Sequence, residues 1–132
     1  MSPLCAPQLA TRLDTPAALA GVPLLRSYRP FEWTSWFDAT SVEAPPVRGP
    51  VFDSITLMVH AAVQGQDVVL APPAPFQAEL GSGQLVQPFP IACEVGAYWL
   101  TWLRHRPKTE VMAALHAWCL QAAADPRIAG EP

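Results

Sequence analysis

Three histidines, three cysteines and eleven carboxylates are the side chains of this 132-residue chain suited to catalysis or metal binding. None falls into a catalytic pattern. Gly81-Ser82-Gly83 lacks the Gly-x-Ser-x-Gly frame that lifts a nucleophilic serine onto a strand-to-helix turn. Neither Gly-x-Gly-x-x-Gly nor a Walker phosphate loop occurs. His60, His105 and His116 share no ligand spacing with a thiol or carboxylate, so neither a metal nor a cofactor is expected. Cys119 and His116 lie one helical turn apart, but an apolar helix face supplies no cationic neighbour that would make a thiolate. The sequence points away from an enzyme and towards binding.

The stretch best suited to binding is Gly49 to Gly65. Val47 to Phe52 reads as an approach strand, and Asp53 or Ser54 caps the helix that follows, since both carry oxygens that accept from free amides at a helix start. Ile55, Val59, Ala62 and Val63 recur at helical spacing and predict one buried stripe; Gly65 supplies the left-handed residue that commonly ends a helix. The apolar run Val68-Val69-Leu70-Ala71 then forms a buried strand. Strand, helix and strand make a βαβ unit, whose helix covers one face of a parallel sheet. Ligands of such sheets collect beyond the carboxyl ends of strands, where helix starts offer unpaired N–H groups and partial positive charge. Phe52 to Thr56 is therefore the first candidate binding segment.

The rest of the chain must position that segment. Pro3 to Ala6 is extended, Pro7 opens a brief helix to Leu13, and Thr15-Pro16 opens another that Gly21 ends. Pro23 to Tyr28 reads as a strand, with Leu24, Arg26 and Tyr28 on one side and Leu25 and Ser27 on the other. Pro30 starts a helix that buries Trp33, Trp36 and Phe37, and Ser41 to Pro46 is a loop. Pro75 to Leu80 is a short helix closed by Gly81, and Gln84 to Phe89 is a strand confined by Pro88 to an edge or an end. Ala97 to Leu103 has the β-propensity of a strand. Thr109 caps the longest helix, about Glu110 to Ala124, whose stripe Val111, Leu115, Trp118 and Ala122 requires a partner surface.

Composition sets the outer limits. A hydrophobic fraction of 51% with only 14% charged residues predicts a folded domain rather than a disordered chain. A net charge of −3, with no basic run, argues against direct nucleic-acid binding, which depends on phosphate neutralisation. Cys5, Cys93 and Cys119 form an odd set without Cys-x-x-Cys and read as reduced, buried thiols. No apolar run approaches the roughly 20 residues that span a bilayer, and no signal peptide is written at Met1 to Ala10. A cytoplasmic protein without membrane contact is expected.

The order of several phrases carries a resemblance. Pro23-Leu24-Leu25 with Tyr28, the tryptophan-rich helix, Gly49-Pro50-Val51-Phe52-Asp53-Ser54, Val69-Leu70-Ala71-Pro72, Leu85-Val86-Gln87-Pro88-Phe89 and Tyr98-Trp99-Leu100-Thr101 together resemble the effector-binding domain of LysR-type transcriptional regulators. The resemblance runs from Leu4 to about Leu120 and is strongest to the AmpR branch, which controls chromosomal β-lactamase. It implies an α/β fold like that of a periplasmic binding protein: two lobes, two crossing strands and an effector cleft between the lobes. Residues 1–95 would be the second lobe with the first crossing strand, residues 96–124 the return crossing strand and the C-terminal helix of the other lobe, and residues 125–132 a flexible tail. The winged helix-turn-helix domain would lie outside this chain, so DNA would be reached only through that domain.

By the same resemblance, Phe52, Asp53, Ser54 and Ile55 contact the effector at the helix start, Tyr98 stands on the cleft wall, and Tyr28 with Arg29 lines the rim. The implied ligand is a small anion of the muropeptide class, favoured at a helix N-terminus by about 0.3–1 kcal/mol at exposed sites. AmpR-like sequences tend to carry a second serine where this chain has Ile55, and a small pair where it has Gln66-Asp67. Without partners for the Trp99–Trp102 strand and the Val111, Leu115, Trp118 stripe, a homo-oligomer or an exposed apolar patch is expected. The alternative reading is a stand-alone ligand-binding or protein-interaction module without a transcriptional role.

Overall fold

A computed structural model of the chain describes residues 1–29, 31–65, 67–97 and 99–124. The chain divides into two compact units, Met1–Val95 and Gly96–Pro132. In the first, strand β1 (Ser2–Leu4) pairs antiparallel with β2 (Val69–Ala71), Ser2 opposite Ala71 and Leu4 opposite Val69. Single bridges widen this ribbon. Leu24 pairs parallel with Val68, Arg26 parallel with Val51, and Cys5 antiparallel with Val86. The expected parallel strands at Val51 and Val68 are thus separated by the Leu24–Arg26 segment, and the sheet is mixed rather than wholly parallel.

Two-residue alternation divides the apolar side chains between the faces of this sheet. Cys5, Leu24, Val68 and Leu70 point into one core, and Leu4, Leu25, Val69 and Ala71 into the other. Helix α1 (Pro7–Ala10) and helix α2 (Glu32–Asp38) supply the first core with Leu9, Trp33, Trp36 and Phe37. The Trp36 and Phe37 rings meet edge to face at 5.2 Å, a geometry that adds about 0.5–1.5 kcal/mol beyond area burial. Trp33 Nε1 donates to the Leu25 carbonyl at 2.8 Å and Trp36 Nε1 to the Ile91 carbonyl at 3.0 Å, so neither indole leaves a buried donor unpaired.

Helix α3 (Ile55–Val63) covers the opposite face and buries Met58, Val59 and Ala62. Ile55 and Val63 pack only partly, and Met58, which is outside the expected stripe, is buried in the core. Gly65 ends the helix at φ +91°, as its type predicts. The Pro16–Gly21 turn is a 3₁₀ helix, and Thr15 makes no side-chain cap bond there. A further 3₁₀ turn, Ala74–Phe76, leads into α4 (Gln77–Gly81), bringing Phe76 into the α3 core.

The second unit differs from expectation. No strand forms among the described residues from Ala97 to Leu103. A strand requires a neighbour to satisfy its backbone, and no described segment pairs with this one. Helix α5 (Glu110–Ala123) forms as predicted, and Thr109 caps it by accepting from the Met112 amide at 3.2 Å. None of its residues is buried; Val111, Leu115 and Trp118 are 78%, 53% and 63% exposed. The expected tail at 125–132, the helix-opening Pro30, and Gln66 lie outside the described residues.

Candidate functional site

The parallel pairing sets the geometry. Arg26 N donates to the Pro50 carbonyl at 2.9 Å and Phe52 N to the Arg26 carbonyl at 2.8 Å, so the two segments leave the sheet at the same end. Tyr28 and Arg29 follow one, and Asp53 and Ser54 follow the other. Pro72, after β2, lies at that end too, because Leu24 runs parallel to Val68. Phe52, Ser54 and Ile55 are half-buried there, whereas Asp53, Tyr28 and Arg29 are exposed. The structure therefore brings six of the seven expected site residues to one end of the sheet. Tyr98, the seventh, lies outside the described residues.

The helix start is open. Ser54 occupies the N-cap position with extended backbone, and its carbonyl accepts from Met58 N at 3.1 Å. Its hydroxyl makes no cap hydrogen bond, nor does Asp53 supply one, contrary to the expected capping. The amides of Ile55, Thr56 and Leu57 precede the first intrahelical bond, so the start keeps its donors and its partial positive charge. Burial of Met58, Val59 and Ala62 holds α3 without help from a cap.

Beside this end, Arg26, Ser27, Tyr28, Arg29, Trp33, Val47 and Val51 line a cavity of about 330 Å³. Its loop is pinned. Ser27 Oγ donates to Glu32 Oε2 at 2.7 Å and accepts from the Arg29 amide at 3.0 Å. Arg26 Nε donates to the Gly49 carbonyl at 2.7 Å. That carbonyl is fixed because Gly49 crosses Leu24 so closely that a Cβ there would stand 1.9 Å from the Leu24 oxygen. Arg26 was not among the expected site residues. Its signal in the sequence is a cation next to the apolar pair Leu24-Leu25, on the same side as Tyr28 by two-residue alternation.

No group of three His, Cys, Asp or Glu side chains suited to a metal occurs among the described residues. Cys5 is buried, and burial pushes its thiol up to about 11, so it is inert at neutral pH. Cys93 and Cys119 are only partly buried, less than expected, and all three cysteines are free. Burial raises the Asp67 carboxyl above the usual range. No described helix is long and apolar enough to cross a membrane.

With this geometry in hand, comparison with known proteins is informative. The model of the LysR substrate binding domain matches residues 1–124. The transcriptional activator AmpR of Rhodobacter capsulatus is 47% identical over 118 residues, covering 89% of this chain and 41% of the activator. Two solved structures are similar in fold. The effector domain of AmpR from Pseudomonas aeruginosa has a TM-score of 0.88 at 43% identity, with 93% of this chain and 60% of that one covered. The AmpR effector-binding domain from Citrobacter freundii gives 0.82 at 42%, with 89% and 60% covered. The chain thus spans about two fifths of the curated relatives it matches.

Proposed function

Because the chain belongs to the LysR substrate-binding domain family, we propose that it is the effector-sensing part of an AmpR-like transcriptional regulator. In this reading it answers a small anionic ligand of the muropeptide class and performs no catalysis. The observation that carries the proposal is the open start of α3, an N-terminus with no side-chain cap, set at the strand ends beside Tyr28 and Arg29. A ligand carboxylate accepting from the Thr56 and Leu57 amides would replace the missing cap and gain from the helix dipole. Tyr98 is proposed as a second contact.

Binding acts by population shift. An effector favours one arrangement of a regulator only by its differential affinity for that arrangement, and here the response would reach DNA through a separate domain of a cytoplasmic homo-oligomer. The exposed Trp99, Leu115 and Trp118 supply apolar surface for self-association.

Calorimetric titration of the chain with N-acetylmuramyl-tripeptide tests this. A saturable heat is expected, with affinity weakened roughly tenfold or more in Ser54→Val and in Tyr98→Phe while thermal unfolding is unchanged. Equal titrations in wild type and both variants would remove the site assignment.

A further inference from the structure

We propose that the Arg26 cavity is a separate oxyanion subsite, taking a phosphate or carboxylate carried on a small ring or apolar body. The inference rests on the reading of Tyr28 and Arg29 as the effector rim for its biological role, but its geometry is independent of the start of α3. Arg26 is half-buried, and among the described residues its guanidinium makes one hydrogen bond, Nε to the Gly49 carbonyl. A guanidinium has five N–H donors, so four remain for a ligand. No described carboxylate lines the cavity. The nearest acid in sequence, Glu32, is itself buried and accepts from the Ser27 hydroxyl.

A partly desolvated cation with no described carboxylate in its lining favours an anion strongly, and a planar guanidinium matches the two oxygens of a carboxylate or phosphate. Arg26 is also held in advance. The Gly49 carbonyl fixes its Nε, and the Ser27–Glu32 bond fixes the loop that carries Arg29, the second cation of the lining. Pre-organisation of this kind lowers the cost of binding. Val47, Val51 and Trp33 supply an apolar wall on one side, which sets the expected body of the ligand. The subsite stands against an overall charge of −3, so the positive potential is local to this cavity.

The test is nuclear magnetic resonance titration of the whole chain at neutral pH with phenyl phosphate, benzoate and neutral benzamide. Both anions are expected to shift the Arg26 Nε–H signal saturably, and benzamide is not; the stronger of the two identifies the oxyanion. Arg26→Lys and Arg29→Gln should each weaken the response, the first by at least roughly tenfold. Val51→Glu, on an exposed edge position, should abolish it by placing a carboxylate in the cavity while leaving thermal unfolding unchanged. If Arg26→Lys disturbs the fold, Arg29→Gln and Val51→Glu still decide the question. Shifts that never saturate, or that are equal in wild type, Arg29→Gln and Val51→Glu, would overturn the subsite. Loss of the response in Ser54→Val instead would place the anion at the helix start, overturning this inference while leaving the proposed function standing.

Discussion

Helices α3 and α5 are held by opposite means. Helix α3 has a buried face of Met58, Val59 and Ala62 and a start with no side-chain cap; α5 has a side-chain cap at Thr109 and no buried residue. The first is fixed by tertiary packing, which outweighs the roughly 1 kcal/mol a cap typically contributes. Its terminal amides therefore remain available. The second carries a side-chain cap as its local signal, and none of its apolar side chains is buried among the described residues. Around Trp102 the only described support is local: Lys108 Nζ sits 3.5 Å above the ring and His116 meets it edge-on at 5.6 Å.

Substitutions test this contrast. Trp36→Ala in the fully buried aromatic cluster should cost about 3–5 kcal/mol in chemical denaturation, whereas Trp118→Ala on α5 should stay within about 0.5 kcal/mol. Comparable losses would mean that α5 has a buried partner. Gly49→Ala drives a methyl group into the Leu24 carbonyl and should cost about 1–3 kcal/mol, with loss of protection at the Arg26 and Phe52 amides in hydrogen exchange. Thr109→Ala should lower the stability of α5 by about 1 kcal/mol, read from exchange at Met112, while Ser54→Ala shifts α3 by only a few tenths.

The smallest effect concerns Asp67. Burial raises its folded carboxyl above the unfolded value, so the folded state binds the proton more tightly and stability falls as pH rises through that carboxyl's titration. Asp67→Asn should raise the melting temperature slightly at pH 7, and the gain should vanish once acid protonates the wild-type carboxyl. A gain independent of pH would assign it to packing instead.

Much of the first unit is legible in residue types. Gly65 as a left-handed stop, the Trp33, Trp36 and Phe37 cluster, and the apolar Val68–Ala71 strand all follow from local rules, as does Thr109 at its cap. Three features do not. The antiparallel insertion of β1 beside β2 depends on long-range pairing, on which local propensity is silent. The absence of a strand among the described residues of 97–103 has the same origin, because propensity does not provide a partner. At Ser54 the residue type is right for a cap and the position is a cap, yet the hydroxyl makes no cap hydrogen bond, which spacing cannot express. The significance of Arg26 comes from a lining without a described carboxylate, which residue types and spacing do not express.

The decisive measurement is the set of backbone amide shifts of the chain on addition of N-acetylmuramyl-tripeptide. If the open start of α3 receives the ligand's carboxylate, Thr56 and Leu57 move downfield and saturate together. Amides that stay fixed there while others titrate would contradict the assignment of the effector to this helix.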